Sequence, residues 1–217
     1  MTMPPCGYRG TGTTEIKKSR FICNLARTDS EAEARVFLGD VRSAYPGARH
    51  HCLAYVICPD NVRLTRTSDG GEPAGTAGVP MLNALLGAEV ENVTAVVTRY
   101  FGGIKLGAGG LVRAYGGAVT QALAAMPRVM AETRPVWALT LPYAAVGRIQ
   151  EELMRQGAVI LDLAYGTATD LRFTYSGDAP DLVARLTQGT LQPEPAGQHL
   201  VEVALAPALP QPGPVSS

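Results

Sequence analysis

Glycine is concentrated in one stretch of this chain, and that concentration limits what the stretch can become. Twelve of the 24 glycines lie within residues 70–117. Because glycine loses more backbone entropy on folding than any other residue and packs no side chain, such a density needs a local cause. The usual causes are a positive φ angle, the close approach of another backbone, or a row of exposed amides that binds a ligand. The sequence therefore predicts that the functional site lies in this segment.

The charges of the chain balance overall but are unevenly distributed. Residues 1–134 hold 15 Lys and Arg against 11 Asp and Glu, whereas residues 135–217 hold 4 against 8. No acidic residue occurs between Glu91 and Glu132. The basic residues in that interval are Arg99, Lys105, Arg113 and Arg128. A positive surface on the glycine-rich segment suits phosphate groups or a nucleic-acid backbone, and scattered solvated arginines would give the same count.

Hydrophobic periodicity predicts a mixed α/β first domain. The predicted strands cover residues 13–17, 20–26, 52–58, 62–67 and 94–100. The predicted helices cover residues 32–44, 79–86 and 111–126. One glycine-rich loop precedes the helix at residues 79–86, and a second precedes the helix at residues 111–126.

The remainder of the chain predicts a second domain with the order strand, helix, strand, strand, helix, strand. The predicted strands cover residues 136–143, 159–165, 170–175 and 200–205, and the helices cover residues 144–156 and 180–186. This βαββαβ order is that of a ferredoxin-like domain. We therefore predict domains at residues 1–130 and 131–206. The Pro-rich residues 207–217 are expected to be disordered.

The first glycine-rich motif reads SDGGEPAGTAG and carries two acids and two hydroxyls, Ser68, Asp69, Glu72 and Thr76. The two carboxylates could act as general acid and base, or bind magnesium. However, two acids three residues apart are common in turns, where Asp caps its own backbone. We therefore favour loop shaping or ligand positioning for these four side chains. No GK[ST] follows the glycines, which excludes a P-loop.

A second glycine-rich motif covers residues 99–117 and reads RYFGGIKLGAGGLVRAYGG. It begins at the end of a predicted strand and runs into a predicted helix, an arrangement that presents backbone amides to phosphate. Its spacing is not the GxGxxG of dinucleotide-binding loops, because the third glycine of that pattern is missing. We expect Gly116 and Gly117 to let the helix pack tightly on the sheet. The loop glycines expected to form a binding surface are Gly107, Gly109 and Gly110.

Charged and aromatic side chains accompany this motif. Basic side chains supply charge for phosphate groups, and aromatic rings stack on nucleic-acid bases. The predicted phosphate contacts are Arg20, His50, His51, Arg99, Lys105 and Arg113. The predicted stacking residues are Tyr100, Phe101 and Tyr115.

The two histidines, His50 and His51, admit a second interpretation. Each stands at the start of a predicted strand and is more ordinarily a satisfied, partly buried side chain than a phosphate contact or proton carrier. With Cys52 they are too few, and too crowded along one strand, to predict a zinc site. We therefore expect no metal and no cofactor.

The composition of the chain and the absence of several sequence motifs indicate which class of protein it belongs to. Hydrophobic residues make up 46% of the chain and charged residues 18%, which is typical of a soluble globular protein. The four cysteines show no CxxC spacing, as expected for thiols in the cytosol. We see neither a secretory signal nor an apolar run of about 18 residues, and expect a cytoplasmic protein without a membrane span. There is no GxSxG motif to anchor serine catalysis.

Four segments together closely resemble the IMPACT/YigZ family. They are SRF at residues 19–21, ARHHCLAYV at 48–56, SDGGEPAGTAGVPML at 68–82 and TAVVTRYFGGIKLGAGGLVRAY at 94–115. The resemblance covers residues 13–126, and the second domain resembles the C-terminal extension of bacterial members. One departure is Gly70, where many members carry a second acidic residue. That departure weakens any mechanism that needs two adjacent aspartates.

The resemblance implies an α+β fold in two parts. The first would be a βαβ-containing module like the second domain of a ribosomal protein. The second would be a ferredoxin-like domain similar to the last domain of elongation factor G. The resemblance also implies a link to translation, because eukaryotic members regulate translation initiation. It supplies no catalytic residues.

Our leading hypothesis is a cytoplasmic, non-catalytic regulator of translation that binds RNA or the ribosome through the glycine-rich basic surface of the first domain. The acidic second domain would meet a protein partner. One alternative is an enzyme acting on a phosphorylated small molecule or nucleotide. Small-molecule kinases of similar fold bind phosphate at a glycine-rich helix start, although their characteristic loop is absent here. Another alternative is a protein-interaction module in which Asp69 and Glu72 shape a groove.

Overall fold

The structure, a computed structural model, describes residues 1–205. It divides into two compact units, Met1–Met130 with the described residues from Ala204 on, and Ala131–Val203. The boundary between the two units falls inside a strand. The predicted disordered tail, residues 207–217, lies outside the described residues. Within residues 1–205, none of the helices combines the length and the apolar composition that a membrane crossing requires.

The first unit contains a five-stranded sheet. Its elements are β1 (Arg9–Ile16), β2 (Ser19–Arg27), α1 (Glu31–Ala44), β3 (His50–Ile57), β4 (Leu64–Ser68), α2 (Gly78–Gly87), β5 (Val93–Tyr100) and α3 (Ala108–Ala124). The strand order is β1-β2-β5-β3-β4, with antiparallel neighbours. Strands β2 and β3 therefore run parallel to each other on either side of β5, and α1 connects them. This arrangement confirms the expected βαβ-containing module.

Helices cover both faces of this sheet, so its central strand is buried on both sides. On one face, β5 places Val93, Ala95 and Val97 in a core that includes buried residues of α2 and α3. On the other face, Val96 packs in a second core with Phe37 and other residues of α1. Residues that alternate along a strand point to opposite faces, which is why β5 reads as a continuous apolar run.

The second unit has the predicted βαββαβ order. Its elements are β6 (Val129–Leu141), α4 (Tyr143–Arg155), β7 (Val159–Tyr165), β8 (Thr169–Thr174), α5 (Ala179–Thr187) and β9 (Glu194–Ala204). The strand order is β7-β8-β6-β9, and a core that includes Leu139, Leu171 and Phe173 packs against both helices. Strand β6 begins seven residues earlier than residue 136, where the sequence predicted it. Its first residue, Val129, exchanges backbone hydrogen bonds with Met3, a distant partner.

Close backbone contacts account for part of the glycine density. A Cβ on Gly102 would lie 2.0 Å from the carbonyl carbon of Lys18, so only glycine fits where this loop crosses the β1–β2 turn. The prediction that Gly116 and Gly117 pack α3 onto the sheet is wrong. The nearest atom to a Cβ on Gly116 would be the carbonyl oxygen of Pro80 in α2, at 3.5 Å, and Gly117 faces open space.

Candidate functional site

A cavity of about 670 Å³ opens in the first unit where β3 begins and β5 ends. Its lining comes from three segments that are distant in sequence: the loop before β3, the glycine-rich loop after β4, and the loop from β5 into α3. Its volume is in the range typical of small-ligand sites. The cavity therefore brings both glycine-rich motifs to one place.

Strand register sets the floor of this cavity. His50 lies opposite Arg99 in the β3–β5 pair, and Phe21 lies opposite Arg99 in the β2–β5 pair. Directly opposed residues in an antiparallel ladder project from the same face, so the three side chains form one row. The Arg99 guanidinium lies over the ring of Phe21 at 5.5 Å and over the ring of Phe101 at 5.4 Å. Arg99 is thereby held between two aromatic rings.

A buried ion pair fixes Arg99. Its Nη1 donates to Oε1 of Glu72 at 2.8 Å, and the side chains are only 7% and 3% exposed. The hydroxyl of Tyr115 donates to the same oxygen at 2.8 Å. Nε of Arg99 is buried and has no hydrogen-bond partner among the residues that the structure describes. The charge of Arg99, expected to contact phosphate, is thus already neutralised by Glu72.

Tyr115 belongs to this network and not to a stacking surface. It is fully buried, and its ring packs edge-on against Phe21 with the ring centroids 5.2 Å apart. Burial, and then the neighbouring Cys52 and Glu72, raise the pKa of Tyr115, so its hydroxyl stays protonated and donates. The prediction that Tyr115 stacks on a base is wrong, because the ring is buried and neither of its faces reaches the surface.

Asp69 organises the loop that carries Glu72. Its carboxylate accepts three backbone N–H groups at 2.9 Å, from Gly75, Ala77 and Gly78, the last two at the start of α2. Burial by itself would raise the pKa of Asp69, but these three donors outweigh it and lower the pKa. Its carbonyl oxygen accepts the N–H of Glu72, also at 2.9 Å. The side-chain carboxylate and the backbone carbonyl of Asp69 therefore both fix the loop that positions the ion pair.

Further contacts fix the same loop. The thiol of Cys52 donates to the carbonyl oxygen of Asp69 at 2.9 Å, and burial raises the pKa of this thiol to about 12. The hydroxyl of Thr76 donates to the carbonyl oxygen of Pro73 at 2.7 Å, and Ser68 Oγ accepts the N–H of Gly70 at 3.4 Å. The hydroxyls of this motif are thus engaged with the backbone of the loop itself.

The amino end of α3 forms one rim of the cavity. Gly107 is its N-cap with φ of +71°, and no side chain caps the helix. The first helical bond runs from the N–H of Leu111 to the carbonyl of Gly107, while Ala108 and Gly109 are exposed. Uncapped N–H groups and the helix dipole favour an anion at this position. Lys105 lies beside them in the cavity lining.

The structure brings together only some of the predicted site residues. The cavity is lined by His50, Glu72, Arg99, Tyr100, Phe101, Lys105 and Gly107. His51 lies on the opposite face of the sheet from His50, where its Nδ1 is 3.0 Å from Oγ1 of Thr98. Burial, and then Arg42, lower the pKa of His51.

Other predicted residues lie outside the lining. The Arg20 guanidinium sits over the ring of Tyr100 at 4.7 Å. Arg113 and Gly109 are exposed on α3, and Gly110 packs against Leu106. Sequence reasoning missed Arg49, an exposed cation of the lining whose only signal was its place before the two histidines. Across the described residues, no group of three or more His, Cys, Asp or Glu side chains is arranged to hold a metal ion.

Comparison with known proteins identifies the relatives of this chain. Residues 17–123 match the Impact N-terminal domain family. IMPACT family member YigZ of Escherichia coli (strain K12) is 58% identical over 114 residues, which cover 52% of this chain and 56% of that protein. The match therefore spans little more than half the length of that relative.

Other relatives match over more of their length. An IMPACT family member of Thermus thermophilus is 41% identical over 182 residues, which cover 81% of this chain and 97% of that protein. A crystal structure of a hypothetical protein, 40% identical, covers 88% of this chain and 95% of its own with a TM-score of 0.57. The similarity thus extends through both units.

Proposed function

The chain belongs to the IMPACT family, and from that premise we propose that it is a regulator of translation that binds RNA, alone or in the ribosome, through the first unit. The observation that carries the proposal is the cavity described above. It combines unpaired cations, the exposed amino end of α3 and aromatic rings on one concave surface. The link to translation rests on what family resemblance implies.

The net charge of the cavity is positive once its ion pair is removed from the count. Arg99 and Glu72 neutralise each other, and within residues 1–205 neither Arg49 nor Lys105 forms an ion pair. Two positive charges therefore stand at the rim beside the N–H groups of α3. Such a surface attracts phosphate groups, and the attraction is independent of base sequence.

Aromatic rings supply the second property of an RNA-binding surface. Phe101 is 57% exposed although it lies next to the buried Arg99, and Tyr100 is half-buried in the same lining. Exposed rings beside a positive surface stack on unpaired bases without selecting among them. Arg20 and Arg113, exposed outside the cavity, extend the positive surface beyond it.

The salt dependence of binding tests the proposal. Each phosphate contact with single-stranded RNA contributes roughly 0.7 to the slope of log affinity against log salt. Replacing Arg49, Lys105 and Arg113 together with Gln should therefore flatten that slope by about two units. Arg35→Gln, an exposed substitution in α1 on the opposite face of the sheet, is the matched control and should leave the slope unchanged. An unchanged slope in the triple variant would remove these residues from any RNA interface.

The volume of the cavity also favours a second candidate, a phosphorylated small molecule. About 670 Å³ is enough to hold a mononucleotide, and Leu106 and Leu111 give its wall an apolar part. A small-molecule site would show shallow salt dependence, a large loss on changing Lys105 alone, and no competition by RNA. Titration with a mononucleotide in the presence and absence of RNA distinguishes the two functions.

A further inference from the structure

We infer that the cavity is a site for a terminal phosphate, so that the 5′-phosphorylated end of an RNA strand enters it in preference to an internal phosphodiester. This inference rests on the proposed function and specifies which part of the RNA the cavity holds. It follows from the charge of the lining, from an unsatisfied buried donor and from the number of acceptors that the ligand must offer.

The charge of the rim matches a phosphate monoester. Arg49 and Lys105 are its two cations without an ion-pair partner in residues 1–205, because Arg99 is paired with Glu72 at 2.8 Å. A monoester carries a charge of about −1.5 to −2 at pH 7. An internal phosphodiester carries about one negative charge and would leave half of the rim charge uncompensated.

Arg99, at the floor of the cavity, retains one buried donor without an acceptor. Arg99 is 7% exposed and lines the cavity, yet its Nε has no partner among the described residues. Buried N–H groups are almost always satisfied, so Arg99 still lacks one acceptor at the floor of the cavity. This donor is independent of the amino end of α3, which offers its own uncapped N–H groups at the rim.

The donors come from different elements, and a monoester has enough oxygens to reach them. Arg99 is the penultimate residue of β5, Lys105 lies in the following loop, and the amides belong to the first turn of α3. A monoester offers three terminal oxygens, whereas a phosphodiester offers two and carries chain on both sides. A strand end has chain on one side only, which suits a concave site with a buried floor.

Two RNAs that differ only in the 5′ group test the inference on the full chain. Fluorescence anisotropy would compare a short single-stranded RNA bearing a 5′-phosphate with the same RNA bearing a 5′-hydroxyl. We expect the phosphorylated RNA to bind about tenfold more tightly, as for the gain of one charge-assisted contact. Lys105→Gln, and separately Arg49→Gln, should bring the ratio of the two affinities close to one. Arg35→Gln should leave the ratio unchanged.

Each outcome separates this inference from the proposed function. Equal affinity of the wild-type chain for both RNAs, with a steep salt dependence, overturns the terminal-phosphate site and leaves RNA binding intact. Binding of neither RNA overturns the proposed function and the inference with it. If adenosine 5′-monophosphate then binds and Lys105→Gln abolishes that binding, the phosphate belongs to a small ligand. A tenfold ratio that survives both Gln variants also overturns the assignment.

Discussion

Replacing Glu72 with alanine should destabilise the first unit severely, because the substitution strands a buried positive charge. The Glu72 side chain is 3% exposed, and its Oε1 accepts both Nη1 of Arg99 and the hydroxyl of Tyr115 at 2.8 Å. Removing one partner of a buried pair costs about 3–5 kcal/mol. That loss is a large part of the roughly 5–15 kcal/mol that stabilises a domain. We therefore expect a strong fall in the urea midpoint.

The assay can follow the two units separately. Trp137, the single tryptophan, lies in β6 within the second unit, so its fluorescence provides an internal reference. Far-UV circular dichroism reports on the whole chain. Tyr115→Phe removes one hydrogen bond to a charged group and should cost about 1.5–3 kcal/mol, less than Glu72→Ala.

A double substitution provides the decisive comparison. Glu72→Ala combined with Arg99→Met removes both charges, so its cost should be smaller than that of Glu72→Ala alone. If Glu72→Ala costs less than about 1 kcal/mol, Arg99 is hydrated through the cavity and not buried in the energetic sense. If the double substitution costs as much as the sum of the single ones, the pair is uncoupled. Either result would refute the reasoning.

Three further predictions concern the loops and the units. Burial tends to raise the pKa of Asp69 but its three N–H donors lower it, so its stabilisation is present above about pH 4 and lost as pH falls through the folded pKa. Asp69→Asn should cost about 2 kcal/mol at pH 7 and weaken this acid dependence in urea titrations. Gly102→Ala should lower the melting temperature because its Cβ would lie 2.0 Å from Lys18, whereas Gly109→Ala, with 3.7 Å of clearance, should change stability by less than about 1 kcal/mol. Residues 1–130 alone should unfold cooperatively, since both of their apolar cores lie within them; a non-cooperative thermal transition by circular dichroism would contradict this.

Local pattern was sufficient for the types and the order of the elements. The apolar run of β5 and the helical spacing of α1 depend only on residues that are close together in sequence. Both elements lie close to their predicted bounds. The order βαββαβ of the second unit could be read in the same way. The predicted first residues of β6 and β9 were wrong by several positions, because the pairing partners of those residues lie far away in sequence.

The glycine-rich motifs marked the region of the cavity, but only the tertiary structure decided which side chains face it. Arg99 and Glu72 are 27 residues apart, and Glu72 and Tyr115 are 43 apart. Their meeting depends on the strand register that sets Arg99 opposite His50 and on the Asp69 contacts that place Glu72. The sequence gives the charged and aromatic residues, but it does not show which of their side chains are buried together. Burial and ion pairing decide whether the charge of an arginine is neutralised inside the protein or remains available to a ligand. Burial and ion pairing both depend on the tertiary packing of the chain.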